Sequence, residues 1–337
     1  MEQATSYDTA DDDPAEVGRR LGHDLYRKSI SPAAQAWPAS VLEGFCHAQS
    51  QHVARQRPDR YTRKWLQLRL SAYRRERVVD ECITPDFLRR IDVERCPVTR
   101  VVLTHGECSD SDWSVDRLNN DGAYAANNLA VMSTRANSAK GARSYSHVFA
   151  LSERPAASGG LEPVEWLRLA ALMLGPCFAT QPRLAPAIPL AAPIPSYSVR
   201  PAVQQIQHVF TCHAHQQSGK NALIKAFKVA APDERALARL RAFAEAMHAG
   251  LKGLDEAHDV WLKPGLMAAF IAWRACLDER SWGLAGEVSR RLAGSNVVPE
   301  SRLQSWRLET HGYRSWCHRP RRFRQADSGV GHIPMSP

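Results

Sequence analysis

The sequence lacks the cysteine pattern of a metal-stabilised or disulfide-stabilised protein. Its eight cysteines are widely scattered and contain no Cys-x-x-Cys pair. This argues against a zinc ribbon and against a disulfide scaffold. We therefore expect reduced thiols, most of them buried.

Long apolar runs are also missing. One of the most apolar stretches, residues 184–195, is interrupted by prolines and is too short to span a bilayer. The first residues are acidic and have neither the basic nor the apolar region of a signal peptide. These features predict a cytoplasmic protein with no membrane partner.

The charge is unbalanced towards the basic side. The 337 residues include 44 Lys and Arg against 35 Asp and Glu, a formal net charge of +9, and the basic residues are clustered. Polyanions, nucleic acid among them, are the natural partners of such a surface. On charge alone, an arginine-rich surface that only contacts solvent is an equally good interpretation.

Hydrophobic periodicity and proline content divide the chain into seven regions and predict an α+β protein that is mostly helical, with a separate helical C-terminal domain. The predicted regions are an acidic disordered tail (1–17), a basic helical region (18–95), a small ββα unit (96–145), a loop with a packing helix (146–175), a proline-rich linker (176–203), a helical domain (204–318) and a basic flexible tail (319–337).

The ββα unit is read from three local patterns. Residues 113–118 alternate like a strand, 119–122 have turn chemistry, and 128–132 form a second apolar strand. A helix is predicted to begin near Ser133 or Thr134. In that order of elements, a carboxylate from the first strand and an amide from the helix can converge on one hard divalent cation.

The residues of this unit resemble the ββα metal finger of the HNH endonucleases over residues 96–141. The resemblance is carried by Asp116-Arg117 on the first strand, Asn128-Leu129 at the start of the second, and Asn137 to Gly141 on the helix. It implies that Asp116 and Asn137 bind Mg²⁺ or Mn²⁺. It also implies that Asn128 orders the loop between the strands and that Lys140 faces the scissile region or a neighbouring phosphate.

The sequence departs from that family where many members hold a structural zinc between two Cys-x-x-Cys pairs. Residues 96–99 keep only Cys96 of the first pair, and residues 133–136 keep no cysteine of the second. No structural zinc is expected.

A second departure concerns the general base, because Arg117 stands where the family has histidine. Arginine cannot accept a proton at neutral pH, so standard HNH hydrolysis should be impaired. Three explanations remain open: His105 takes over as base, metal-bound water attacks with help from bulk solvent, or Arg117 grips a phosphate. Alternatively, Asp116, Asn128 and Asn137 serve only turns and caps.

Candidate nucleic-acid contacts lie on the finger helix, just after it, and on an upstream basic helix over residues 60–77. These candidates are Lys140, Arg135, Arg143, Arg63, Lys64, Arg74 and Arg75. Aromatic residues are interleaved in the basic helix, which suits phosphate contact combined with stacking. A helix that faces a partner protein explains the same pattern equally well.

Together these features favour a divalent-metal-dependent nuclease, or a DNA-binding relative of one with weakened catalysis. The alternative is a non-enzymatic module of a mobile-element, defence or regulatory complex. In that case the helical domain, residues 204–318, binds a protein partner.

Overall fold

The computed structural model describes residues 13–32, 37–195 and 197–293. Residues 1–12 and 294–337, which hold most of the predicted acidic tail and all of the predicted basic tail, lie outside the described residues. The first elements are α1 (Pro14–Arg27), α2 (Ala39–Ser50), α3 (Arg60–Arg74), α4 (Pro85–Ile91), β1 (Trp113–Arg117), β2 (Leu129–Ser133), α5 (Thr134–Lys140), α6 (Tyr145–Ser152) and α7 (Pro163–Cys177). They are followed by α8 (Ala202–His213), α9 (Gln217–Phe227), α10 (Glu234–Leu251), α11 (Pro264–Arg274) and α12 (Glu279–Leu292). The described chain is therefore α+β and mostly helical, as predicted.

The predicted acidic tail is too long, because residues 14–17 already belong to α1. The Asp13 carboxylate caps this helix by accepting the amide of Ala15 at 3.2 Å, and Pro14 stands at the first helical position. Val17 is buried. Its burial fixes the first turn of α1 in the core.

The basic helix is confirmed as α3, which begins after an Asp59 cap and buries Trp65 and Leu66. One of its arginines also points inward. Arg69 is buried and lies 2.7 Å from the carboxylate of Asp24 on α1. The basic character of α3 therefore contributes in part to internal packing and not only to a charged surface.

The small sheet has two antiparallel strands, and it is followed at once by a helix. Trp113 of β1 pairs with Ser133 of β2, and Arg117 pairs with Leu129. The Ser133 side chain then caps α5 by accepting the amide of Ala136 at 3.3 Å. The predicted order of strand, loop, strand and helix is confirmed.

The proline-rich segment (176–203) is not a free linker. Pro176 lies inside α7, and the next helix, α8, begins at Ala202. Most of the apolar residues between the prolines are buried, namely Ala185, Ile188, Leu190, Ala191, Ala192 and Ile194, whereas Leu184 is exposed. Gln207 of α8 donates to the carbonyl of Ile188 at 2.8 Å. Prolines exclude regular pairing, as predicted, but they leave the apolar residues between them free to pack.

The C-terminal helices do not form a separate core within the described residues. Their aromatic side chains, including Phe210, Phe243 and Trp273, belong to the same contiguous hydrophobic cluster as residues of α1, β2 and α7. Arg100 reaches the Asp259 carboxylate at 2.6 Å, so an ion pair also joins the two parts. The predicted domain boundary is therefore crossed by packing.

Two expectations from composition can be compared with the fold. Of the seven cysteines that the structure describes, all are free and only Cys96 is buried, so the expectation of mostly buried thiols is wrong. In the described part of the chain, no helix is both long and apolar enough to cross a membrane.

Candidate functional site: the β1–α5 interface

The candidate site lies between β1 and α5. Successive side chains of a strand point to opposite faces, so Ser114 and Asp116 share one face of β1. Residues three apart share a face of a helix, so Asn137 and Lys140 share one face of α5. The two faces meet: Asn137 donates to the Ser114 hydroxyl at 2.6 Å, and Lys140 lies 2.8 Å from the Asp116 carboxylate. The structure thus brings Asp116, Asn137 and Lys140 into one interface.

Lys140 is the centre of this interface, and its side chain is completely buried. Its Nζ lies 2.8 Å from Asp116 Oδ2, donates to the Arg117 carbonyl at 2.7 Å, and donates to Asn120 Oδ1 at 2.9 Å. An ammonium has three donors, and three oxygens surround it. The prediction that Lys140 faces a phosphate is therefore wrong, because the ammonium is satisfied inside the protein.

Asp116 is also removed from solvent, with only 15% of its side chain exposed. Burial raises the pKa of the Asp116 carboxyl, and the nearby charges of Lys140 and Arg117 oppose that rise. The carboxylate therefore depends on the buried ammonium for its charged form.

As arranged, Asp116 and Asn137 do not fit a divalent cation. Mg²⁺ and Mn²⁺ prefer several oxygen ligands around one point. Here the carboxylate of Asp116 is paired with an ammonium, and the Asn137 amide is engaged with Ser114. Among the residues described by the structure, no group of three or more His, Cys, Asp or Glu side chains is placed to hold a metal ion.

Arg117 is a buried structural residue. Its guanidinium donates to the carbonyls of Asn120 and Gly122, both at 2.8 Å, and lies 4.9 Å from the centre of the Tyr124 ring. Only 7% of the residue is exposed. The alternative in which Arg117 grips a phosphate is therefore wrong, since the guanidinium instead fixes the loop between the strands.

His105 does not lie with Asp116. Its imidazole is exposed and packs at 5.4 Å, nearly edge-on, against the ring of Trp113. Trp113 and Asp116 are three positions apart on β1, so their side chains point to opposite faces of the strand. His105 is therefore not placed to replace the missing general base at Asp116.

Asn128 makes the contacts that its predicted role in the loop requires. The residue is buried, its Oδ1 accepts the amide of Asn119 at 2.7 Å, and its Nδ2 donates to the carbonyls of Asn119 and Ala123. One side chain thus closes the loop from both ends. Replacing it would leave several buried backbone groups without partners.

Many HNH proteins hold a structural zinc between two Cys-x-x-Cys pairs, and the four corresponding positions of this chain lie close together. Cys96 Sγ accepts the amides of Thr99 at 3.3 Å and Ser133 at 3.2 Å, and the Thr99 and Ser133 hydroxyls are 3.2 Å apart. Ala136, the fourth position, donates its amide to the Ser133 hydroxyl. Hydrogen bonds therefore join positions at which many HNH proteins hold a metal.

The predicted nucleic-acid contacts have different environments. Lys64 of α3 donates to the Trp113 carbonyl at 3.1 Å and lies 5.2 Å from the centre of its ring, while burial lowers the pKa of its ammonium. Arg135 pairs with the Glu165 carboxylate, and Arg143 lies over the ring of Trp166. These three side chains hold the ββα unit against its neighbours.

Three other predicted contacts are exposed, namely Arg63, Arg74 and Arg75. Arg75 bonds to the Tyr124 and Ser71 hydroxyls. Among the residues that the structure describes, no carboxylate lies within ion-pair distance of Arg63. Arg63 is therefore the candidate most available for a phosphate.

Sequence reasoning missed Asn120, which connects the loop, α5 and the segment that follows α5. Its Oδ1 accepts from Lys140, and its Nδ2 donates to the Gly141 carbonyl at 3.1 Å. It also lines an open cleft of about 450 Å³ together with Asp121, Tyr145 and Phe178. The Asn-Asn-Asp-Gly run indicated a turn, and nothing in its composition indicated a partner for a lysine twenty residues later.

In comparisons with protein-family models, with curated proteins and with solved structures, nothing matches this chain. The function must therefore be argued from its own residues.

Proposed function

We propose that this protein binds nucleic acid, DNA in particular, and is a relative of the HNH endonucleases with weakened catalysis. The order of β1, β2 and α5 supports the relationship. So do the placement of Asp116 and Asn137 in one interface between β1 and α5, and the convergence of the four positions at which zinc-binding members carry cysteine.

The observation that carries the binding proposal is the contact between the basic helix and the ββα unit. Tyr61 and Lys64 of α3 both pack on Trp113, the first residue of β1; the Tyr61 and Trp113 rings are 5.9 Å apart. Helix α3 and the unit are therefore packed directly against each other. A nucleic acid that contacts the start of α3 would also lie against the finger.

Exposed arginines cluster in sequence at the start of α3. Arg57, Arg60 and Arg63 are exposed, and only Arg60 has a carboxylate partner among the described residues, Asp92 at 2.9 Å. Exposed guanidiniums without a fixed partner lose little when they bind phosphate, and they displace the counterions of the nucleic acid.

Weakened catalysis is proposed because each part of the hydrolytic site is engaged elsewhere. The Asp116 carboxylate pairs with Lys140, and the Arg117 guanidinium is buried in the loop between β1 and β2. The imidazole ring of His105 packs on Trp113. None of the three is free to activate water at Asp116.

Binding is tested by fluorescence anisotropy with a labelled DNA duplex over a salt series. The logarithm of affinity should fall steeply with the logarithm of salt concentration. Arg63→Ala should lower affinity and reduce the magnitude of that slope by about 0.9 for each lost phosphate contact. The matched control is Arg239→Ala, an exposed arginine on α10. A flat slope, or equal effects of the two variants, would contradict the proposed surface.

Catalysis is tested by nicking of supercoiled plasmid with Mg²⁺ or Mn²⁺, using the native protein and Arg117→His. Neither should nick above background, because position 117 lies inside the loop bonded to Asn120 and Gly122. Strong nicking by Arg117→His would mean that an imidazole at position 117 reaches the scissile phosphate. The proposal that the groups of the hydrolytic site are engaged elsewhere would then fail.

A further inference from the structure

The surroundings of the Lys140 ammonium have the composition of a hard-cation site. Its three neighbours are a carboxylate oxygen of Asp116, a backbone carbonyl of Arg117 and an amide oxygen of Asn120, all within 2.9 Å of Nζ. Oxygens of these three kinds are the usual protein ligands of hard divalent ions. The oxygens converge on one point that already holds a positive charge.

Two of the three oxygens are held by contacts that do not involve Lys140. Arg117 belongs to β1, whose register against β2 is set by pairing with Leu129. The side-chain amide of Asn120 donates to the Gly141 carbonyl, and the backbone carbonyl of Asn120 accepts from the Arg117 guanidinium. Shortening the lysine would therefore leave the Arg117 and Asn120 oxygens near their present positions, whereas the Asp116 carboxylate would need a new counter-ion.

We propose that the Lys140 ammonium is a built-in substitute for a divalent metal ion, and that the Asp116, Arg117 and Asn120 oxygens form a latent metal site when the ammonium is removed. The native protein is then insensitive to metal at this site. The inference does not depend on nucleic-acid binding, because it concerns only how the charge of Asp116 is balanced.

An open cleft lies beside this point. Asn120 lines the cleft, and its side-chain oxygen also accepts from Lys140. Removing the four-carbon stem would leave a vacated volume behind that amide. We therefore expect water and a cation to enter through a local movement of Asn120, without unfolding of the ββα unit.

The experiment uses Lys140→Ala in the full chain, with MnCl₂ as the probe. Mn²⁺ at ten times its dissociation constant should raise the midpoint of thermal unfolding of the variant by about 2–3 °C. It should leave the native protein unchanged. Paramagnetic enhancement of water relaxation should report binding of one ion by the variant, and Asp116→Asn added to Lys140→Ala should abolish it.

The matched control is Lys220→Ala. Lys220 is also a buried lysine in an ion pair, but its partner Glu245 is mostly exposed, and within the described ranges its ammonium makes no second hydrogen bond. The Lys220→Ala variant should gain no Mn²⁺ binding. Equal gains in both variants would show that any vacated lysine binds Mn²⁺, and the specific site would be refuted.

Two other results would overturn the inference. One is a folded Lys140→Ala variant that neither binds Mn²⁺ nor is stabilised by it. The other is Mn²⁺ binding by the native protein that is abolished by the single substitution Asp116→Asn. If Lys140→Ala is unfolded without metal, refolding with MnCl₂ should restore its circular dichroism spectrum. Failure to refold would also count against the site, because the ion could not replace the ammonium. None of these results changes with the outcome of the DNA-binding assay.

Discussion

The strength of the Asp116–Lys140 pair can be measured by a double-mutant cycle with Asp116→Asn and Lys140→Met. At 2.8 Å and an effective dielectric constant near 20, the gross attraction between unit charges is about 6 kcal/mol. Desolvation of both groups offsets part of it. We expect a coupling energy of about 3 kcal/mol, the range found for close, desolvated charge pairs.

The single variants should differ in severity. Lys140→Met leaves the buried carboxylate without its counter-ion and should cost about 4–5 kcal/mol. Asp116→Asn keeps an oxygen that can accept from the ammonium and should cost about 2–3 kcal/mol. The double variant leaves mainly the Arg117 carbonyl and the Asn120 amide without their donor, so it should cost about 3–4 kcal/mol, well below the sum of the two single losses.

The assay is urea unfolding followed by intrinsic fluorescence and by far-ultraviolet circular dichroism. Coincident transitions by both probes would justify the free-energy differences. Lys220→Met and its cycle with Glu245→Gln provide the control. Because 63% of the Glu245 side chain is exposed, that coupling should stay below about 1 kcal/mol. Additivity within about 0.5 kcal/mol at Asp116 and Lys140 would refute the reasoning that the two charges depend on each other.

Three further predictions follow from the fold. Burial is the main cause that lowers the pKa of both His208 and His258 to about 4. Since the unfolded chain takes up these protons first, the free energy of unfolding should fall between pH 6.5 and 4, by up to about 3 kcal/mol for each histidine. The midpoint of thermal unfolding measured across that pH range checks this prediction. The double variant His208→Gln/His258→Asn should show a flatter dependence of stability on pH, and an equally steep dependence would contradict the assignment to these two histidines. Residues 185–194 of the proline-rich segment should resist native-state thermolysin, because most of their apolar side chains are packed, whereas release of two folded fragments cut within this range would show it to be a linker. A tetrahedral site of four thiolates should form when Thr99→Cys, Ser133→Cys and Ala136→Cys are combined with the existing Cys96. The absorption spectrum of bound Co²⁺ shows the coordination geometry, and an octahedral spectrum would contradict the convergence of these four positions.

Much of the ββα unit could be predicted because its signals are local. Alternation over β1, the Asn-Asn-Asp-Gly turn and the Ser133 cap each depend on a few neighbouring residues. The direction of Lys140 depends instead on how α5 docks on β1. A partial signal existed, because Lys140 is three positions after Asn137 and must share its face. A charged residue on an inward face requires a partner, and Asp116 was the nearest candidate.

The proline-rich segment shows a different limit of sequence reasoning. Proline content correctly excludes an α-helix or a strand between α7 and α8, where the described residues have only a short 3-10 turn at Pro182–Leu184, but it says nothing about burial. Burial depends on partners far away in sequence, such as the contact of Gln207 with the Ile188 carbonyl. A boundary was predicted at this segment for this reason, although packing crosses it, since no local pattern reports which surfaces of two helical regions meet.

The small size of the ββα unit bears on how it is stabilised. Two five-residue strands and a seven-residue helix cannot bury enough apolar surface to be stable alone, and such units commonly depend on a bound metal. Here the Lys140 ammonium and the Cys96 hydrogen bonds act at the positions where the resemblance implies metals. Contacts with α3 through Trp113 and with α7 through Arg135 embed the unit in the larger core. A unit stabilised by its neighbours keeps its shape without ions, but its interior groups are no longer available for chemistry. We therefore expect any binding by the unit to use its surface near the start of α3, where Tyr61 packs on Trp113.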